Sequence, residues 1–340
     1  MSKRRCAMLI AALLLAGGSA QAGIADLLEG ARKEATVTWY TGHTDAENAA
    51  AVGRAFTEKY PDVKIQVVRS TSEVAYQRLT QDLKLNMAQC DVFSSTDLAH
   101  YALLKADKKL ARYMPENAPK LRPEYRATDP DGMVYPTNAG LMLLIHNTRK
   151  VPAADAPKAW TDLLDPRWKD QLSVGHPGFS GYVATWVVTM RKLYGWDYFE
   201  KFARNRPQIG RSGNDPITVL NSGERAAAVG PLGTTLKSAD RGNPLGVIYP
   251  SDGSLLMISP TAILANAPHP NAARLFLEFL LDVEHARISV RDRWESLRPE
   301  VDPAPGSVPF SSLKLIVPTV EDNIKGVPEV VERWRDLFGG

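Results

Sequence analysis

Residues 36–94 read TVTWYTGHTDAENAAAVGRAFTEKYPDVKIQVVRSTSEVAYQRLTQDLKLNMAQCDVFS, and this stretch decides the fold. Thr36-Val37-Thr38-Trp39-Tyr40 is dense in β-branched and aromatic residues and reads as a strand. Thr44-Asp45-Ala46-Glu47 reads as a capping box, in which the Thr44 hydroxyl and Glu47 carboxylate satisfy free N–H groups where a helix begins. That helix runs to about Tyr60, where Pro61-Asp62 breaks it. Val63 to Val68 predicts a second strand, Ser72 to Met87 a second helix, and Asp91-Val92-Phe93 a third strand. Strands alternating with helices in this way build a parallel, doubly wound sheet.

Toward the N-terminus, Ile24, Leu27, Leu28 and Ala31 mark one helix face. Ahead of them stand Lys3, Arg4 and Arg5, an apolar run from Ala7 to Ala16, and Ala20-Gln21-Ala22. Charge, apolar core and A-x-A site together form the pattern of a secretory signal peptide cleaved after residue 22. The run is too short for a membrane span, which needs about 20 apolar residues. The 41 basic residues lose three with this leader and then match the 38 acidic ones, so the mature surface carries no basic footprint for nucleic acid or anionic membrane. Of the 2 cysteines, Cys6 leaves with the leader, so Cys90 has no internal disulfide partner.

Toward the C-terminus the pattern restarts, as a second lobe would. Leu141 to Ile145, Leu172-Ser173-Val174, Ala226 to Val229 and Val247-Ile248-Tyr249 read as strands. A long helix is expected from Gly181 to Leu193, and Asp215-Pro216 offers an N-cap for a shorter one ending at Asn221-Ser222-Gly223. His269-Pro270 opens an amphipathic helix with Leu275, Phe276, Phe279 and Leu280 inward. Val330, Val331, Trp334 and Leu337 fall on one face of a last one.

In open α/β sheets ligands bind beyond the carboxyl ends of strands, against helix N-termini. Those places read Tyr40-Thr41-Gly42-His43, Arg69-Ser70-Thr71-Ser72, Ser94-Ser95-Thr96-Asp97 and His176-Pro177-Gly178-Phe179-Ser180-Gly181. Each alone is an ordinary cap, but four at equivalent positions describe a cleft. No P-loop, dinucleotide fingerprint or zinc-protease motif occurs, and the six histidines show no metal-ligand spacing.

The chain resembles periplasmic solute-binding proteins of the ferric-ion-binding type, in the type II class. The resemblance runs over nearly the whole mature chain. It rests on Val37 to Gly42, Asp91-Val92-Phe93, Asp165-Pro166-Arg167-Trp168-Lys169, Ser180-Gly181, Asn221-Ser222-Gly223-Glu224 and Ala267 to Ala273. It implies two α/β lobes, each a doubly wound, mostly parallel sheet, joined by hinge strands. The chain crosses between lobes near Thr137-Asn138-Ala139-Gly140 and again near Tyr249-Pro250-Ser251. Residues 23–138 and 250–295 then form lobe 1, and residues 139–249 and 296–340 form lobe 2. Iron-binding members use paired tyrosines after the strand matching Ala226 to Val229. Here Gly230 to Thr235 contains none, so a ferric ion loses its main anionic oxygen donors although His43 and Glu73 stand near the other ligand positions.

The resemblance therefore implies capture of a small anionic organic ligand (a phosphonate, sugar phosphate or carboxylate) by a monomeric periplasmic protein that serves an ABC importer's permease, with no cofactor. The candidate contacts are Thr41, His43, Ser70, Ser72 and Ser95 from the first lobe. Ser180, Gly181, Tyr182, Asn214 and Thr234 come from the second, and Asn138 and Asp252 from the crossings. Arg69 or Arg211 would pair the anion as a bidentate fork. The rival readings are a ferric-ion or iron-complex binder of the same architecture and an enzyme using Cys90 on this fold.

Overall fold

The computed structural model describes residues 23–87, 89–126 and 129–339; the leader, with Cys6, lies outside them. Chain order begins α1 (Ile24–Glu34), β1 (Thr36–Thr41), α2 (Ala46–Lys59), β2 (Lys64–Arg69), α3 (Ser72–Lys84), β3 (Val92–Ser94) and α4 (Leu98–Ala106). It continues through β4 (Val134–Asn147), β5 (Leu172–Val174), α5 (Gly181–Tyr194), α6 (Trp196–Arg204), β6 (Gln208–Ile209), α7 (Asp215–Asn221), β7 (Ala227–Pro231) and α8 (Leu232–Asp240). It closes with β8 (Leu245–Ile248), β9 (Ser254–Ile263), α9 (Pro270–Leu280), α10 (Val283–Arg291), β10 (Leu315–Ile316) and α11 (Val320–Phe338).

The outer strands pair in parallel, β2 with β1 and β1 with β3 on one side, β7 with β5 and β5 with β6 on the other. Between them lie β4 and β9, long and antiparallel, so the two halves join in one continuous sheet ordered β2-β1-β3-β9-β4-β7-β5-β6. Every residue of β4 is buried, which explains the apolar run from Leu141 to Ile145 within it. Its pairing with β9 slips between Pro136 and Asn138, where proline supplies no N–H for the ladder. Tyr249 to Asp252 precede β9 as a turn, and the segment Leu141 to Ile145 is the far half of β4.

Two cores flank these shared strands. Trp39, Phe56, Phe276 and Phe279 pack in the first, with edge-to-face rings 5.0–5.5 Å apart around Phe56. Trp160, Trp186, Phe199, Phe202 and Trp334 fill the second. Residues 296–340 divide between them: Leu297 and Phe310 pack in the first core, Val330 and Trp334 in the second.

Two caps differ from the sequence expectation. Asp45, not Thr44, caps α2, accepting from the Asn48 N–H at 2.8 Å. A carboxylate one residue closer to the helix reaches that N–H first, and it leaves the Thr44 hydroxyl without a partner. Asn214, not Asp215, is the residue before α7; the Asp215 carboxylate turns back to accept from the N–H groups of Arg211 and Ser212. The second helix also stops at Lys84, short of Met87.

Candidate functional site

The carboxyl ends of the parallel strands from both halves face one cleft. Gly42, His43, Thr44, Asp45, Arg69, Thr71, Ser72 and Thr96 line one wall. Phe179, Ser180, Tyr182, Ser212, Gly213, Asn214, Pro231 and Thr234 line the other, and Trp294 completes it. The cavity measures about 50 Å³, room for roughly three to five waters. The walls already touch: a Cβ on Gly181 would stand 2.4 Å from Asp97 N and 2.5 Å from the Thr96 carbonyl carbon. Only glycine lets the start of α5 approach the opposite turn this closely.

The first wall carries unspent polar atoms. Among the described residues, His43 Nδ1 and the hydroxyls of Thr44 and Thr71 are buried without a partner, as is that of Thr41 just behind them. Burial, then the charge of His285, holds the His43 imidazolium down to a pKa of about 3, so the ring is neutral at physiological pH. Its Nε2 faces the Asn138 amide at 3.3 Å. Arg69 donates from Nε to the Thr44 carbonyl at 3.0 Å and forms no ion pair among the described residues. It is the cationic side chain of the lining.

The second wall is built from turns that satisfy themselves. Ser180 Oγ caps α5 by accepting from the Val183 N–H at 3.5 Å, so the helix start, with its partial positive charge, faces the cleft. Ser212 donates to Asp215 Oδ1 at 2.6 Å and accepts from the Asn214 N–H. The Tyr182 hydroxyl bonds Ser259 on β9, and burial pushes its pKa up.

At the rim, charges bridge the halves. Lys237 of α8 lies 3.4 Å from Asp45, 3.4 Å from Glu47 and 3.2 Å from Asp292, while Arg293 pairs Asp240 at 2.9 Å.

Among the residues expected from sequence, His43, Ser72, Ser180, Tyr182, Asn214 and Thr234 line the cleft, and Gly181 forms the contact between its walls. Others serve elsewhere. Ser95 Oγ is engaged by His100 Nδ1 at 2.9 Å and the Asp97 N–H at 3.0 Å, inside its own turn. Thr41 is fully buried behind the wall, and Ser70 stands beside Arg69 outside the lining. Asn138 reaches the cleft only through His43. Asp252 holds the Trp160 N–H and the Tyr194 hydroxyl, the latter at 2.7 Å, and is a structural anchor away from the cleft. Arg211 packs over Phe179, 4.9 Å from its ring centre.

Sequence reading passed over Thr44, Thr71 and Trp294 as contacts. Thr71 stands inside one strand-end turn, and Thr44 directly follows another and reads as a helix cap, so position alone is the available signal. Trp294 follows α10 and enters because Glu295 bridges to Ala139; a Cβ on Gly140 would meet its ring at 2.8 Å.

A larger cavity of about 580 Å³ lies beside the cleft, sharing Thr96 and Tyr182. Its lining is mostly apolar, with Tyr101 donating to the Pro260 carbonyl and Thr185 to Asn323.

Comparison with known proteins agrees with this architecture. Residues 90–304 match the family described as bacterial extracellular solute-binding protein. The chain is 23% identical over 289 residues to a Salmonella typhimurium protein named "Putative 2-aminoethylphosphonate-binding periplasmic protein", covering 80% of this chain and 81% of that one. AfuA from Actinobacillus pleuropneumoniae, solved with fructose-6-phosphate bound, superposes with a TM-score of 0.81 at 22% identity, over 89% of this chain and 98% of AfuA. Iron-bound HitA from Pseudomonas aeruginosa gives 0.77 at 22% identity, over 89% and 99%. At these identities the structural likeness shows the fold: two α/β lobes of the type II periplasmic binding class, joined by hinge strands.

Proposed function

The chain belongs to the bacterial extracellular solute-binding protein family, and from that premise we propose that it captures a small organic anion in this cleft and hands it to an ABC importer's permease. The single observation that carries the ligand class is the pairing of the two walls. His43, Thr44 and Thr71, each with a buried polar atom that no described residue engages, line the wall across a space of a few waters from the N-terminus of α5. A phosphonate, sugar phosphate or carboxylate brings the oxygens those donors lack and the negative charge the helix start favours.

Capture works by hinge closure. Bending falls on β4 and β9, the strands both lobes share, and the closed state wins only because ligand contacts both walls in it. The first 22 residues act as the export leader, and the protein works in the periplasm as a monomer without nucleic acid. It is not an enzyme: Cys90 is buried, donates to the Val92 carbonyl at 3.3 Å, and burial raises its pKa well above the ordinary range, the reverse of an activated thiol. A ferric ion is the poorer ligand. Gly230 to Thr235 holds no tyrosine, and Glu73 is turned to His100 at 3.2 Å.

A thermal-shift screen of the purified mature protein tests the reading. A matching anion at a hundredfold excess over Kd stabilises by about 2.7 kcal/mol. Stabilisation by ferric salt with a visible charge-transfer band, and none by any anion, would reverse the ligand class.

A further inference from the structure

We infer that His43 is a fixed N–H donor to a ligand oxygen, unable to act as a metal ligand, because Ser289 acting through Asn138 sets its tautomer; the inference deepens the cleft reading above and rests on it. Ser289, on α10, donates its hydroxyl to Asn138 Oδ1 at 2.8 Å. Both side chains are buried, and with Oδ1 taken by the serine hydroxyl the amide turns Nδ2 toward the imidazole. Nδ2 only donates, and it faces His43 Nε2 at 3.3 Å; Nε2 must therefore accept. In a neutral ring the proton then sits on Nδ1. That nitrogen is buried with no partner among the described residues, on a residue that lines the cleft and is 4% exposed.

The consequence is selectivity. A metal ion needs the lone pair of a neutral imidazole nitrogen. Here one lone pair is engaged by the amide and the other nitrogen carries hydrogen. A ligand oxygen finds the opposite, a buried N–H donor that no other described residue engages. The edge of Trp39, its ring centre 5.8 Å away, helps keep the imidazole in one orientation. Ser289 and Asn138 are positioning residues, and His43 is the contact.

Long-range proton–nitrogen NMR of protein with ¹⁵N-labelled histidine reads the tautomer directly. The expected His43 signal is Nδ1–H in the ligand-free protein, with Nε2–H gaining share in Ser289→Ala, where the amide is free to turn. Ferric salt should leave the signal sharp, and 2-aminoethylphosphonate should move the Nδ1 proton downfield. By calorimetry with the same probe, His43→Leu should bind roughly tenfold to hundredfold more weakly. His43→Asn, whose amide N–H falls near the lost Nδ1–H, should recover most of it. A wild-type Nε2–H tautomer, or paramagnetic broadening of His43 by ferric ion, overturns the inference. So does phosphonate binding that leaves the Nδ1 proton unmoved. If inorganic phosphate, 2-aminoethylphosphonate and fructose 6-phosphate all fail to bind, the cleft reading falls and the donor role with it, while the Nδ1–H tautomer stands.

Discussion

The two walls of the cleft solve opposite problems. On the first, His43, Thr44 and Thr71 are folded into place with polar atoms unmatched, a cost of about 1–3 kcal/mol for each buried group. On the second, Ser180 and Ser212 cap their own turns, and what they present is the aligned backbone of a helix start. The first wall is selective, because only a ligand with acceptors in the right places removes its deficit. The second is attractive to any anion, because its charge is built into the backbone. On the proposed function, the difference teaches that recognition and attraction are divided between the lobes, so that a ligand needs both walls.

Reversing the charge of the attractive wall should have the largest effect. In Ser180→Asp a fixed carboxylate occupies the place of the anion, and affinity by calorimetry should fall by about a hundredfold or more. Thermal stability should hardly change, because aspartate also caps a helix. Unchanged affinity would put the anion elsewhere.

Next comes a pair of glycines that separates closure from folding. A Cβ on Gly181 collides with Thr96 and Asp97 across the cleft, and one on Gly42 meets Ser72 Cα at 2.5 Å within the first wall. Gly181→Ala should weaken binding roughly tenfold and leave Tm in place, since opening relieves the clash. Gly42→Ala should lower Tm. Equal Tm losses would mean that the contact at Gly181 belongs to the resting fold.

The first wall should also be the acid-sensitive one. His43 and His285 have folded pKa values held down, by burial foremost, to about 3 and about 4, against about 6.5 unfolded. Their neutral forms cost nothing above pH 6.5. As pH falls below that, the unfolded chain takes up protons the folded one refuses, and stability drops until the folded pKa is reached. Between pH 7 and 5 each contributes about 1–2 kcal/mol of loss. Denaturant titrations should give a flatter pH dependence for His43→Asn; an unaltered slope would show that His43 is solvated.

The smallest effect belongs to the rim. Lys237→Met removes three ion pairs with the first lobe, and such partly exposed pairs are worth about 0.2–1 kcal/mol. A severalfold faster ligand release, reproduced in wild type by added salt, is expected; a larger salt-independent loss would place Lys237 in contact with ligand.

What sequence could and could not reveal follows the same division. Strands β1 to β3 and their helices were legible because Thr36 to Tyr40 and Val63 to Val68 carry local propensity, and the turns beyond them gave most of the wall. The hinge was half legible: Leu141 to Ile145 reads as a strand, but its continuation back to Val134 depends on pairing with β9. Ser95 and Asp252 looked like ligand contacts because a polar residue in a turn reads the same whether its partner is a ligand, His100 or Tyr194. Trp294 and Ser289 were invisible because they reach the cleft through contacts some 150 residues away in sequence.

Small-angle X-ray scattering on the mature protein, with and without a saturating anion from the phosphonate, sugar phosphate and carboxylate panel, tests closure of two lobes on an anion most directly. The account predicts a smaller radius of gyration with the bound anion, and an unaltered one when the same anion is added to Gly181→Ala. Anion binding confirmed by calorimetry with no change in the wild-type radius would contradict it.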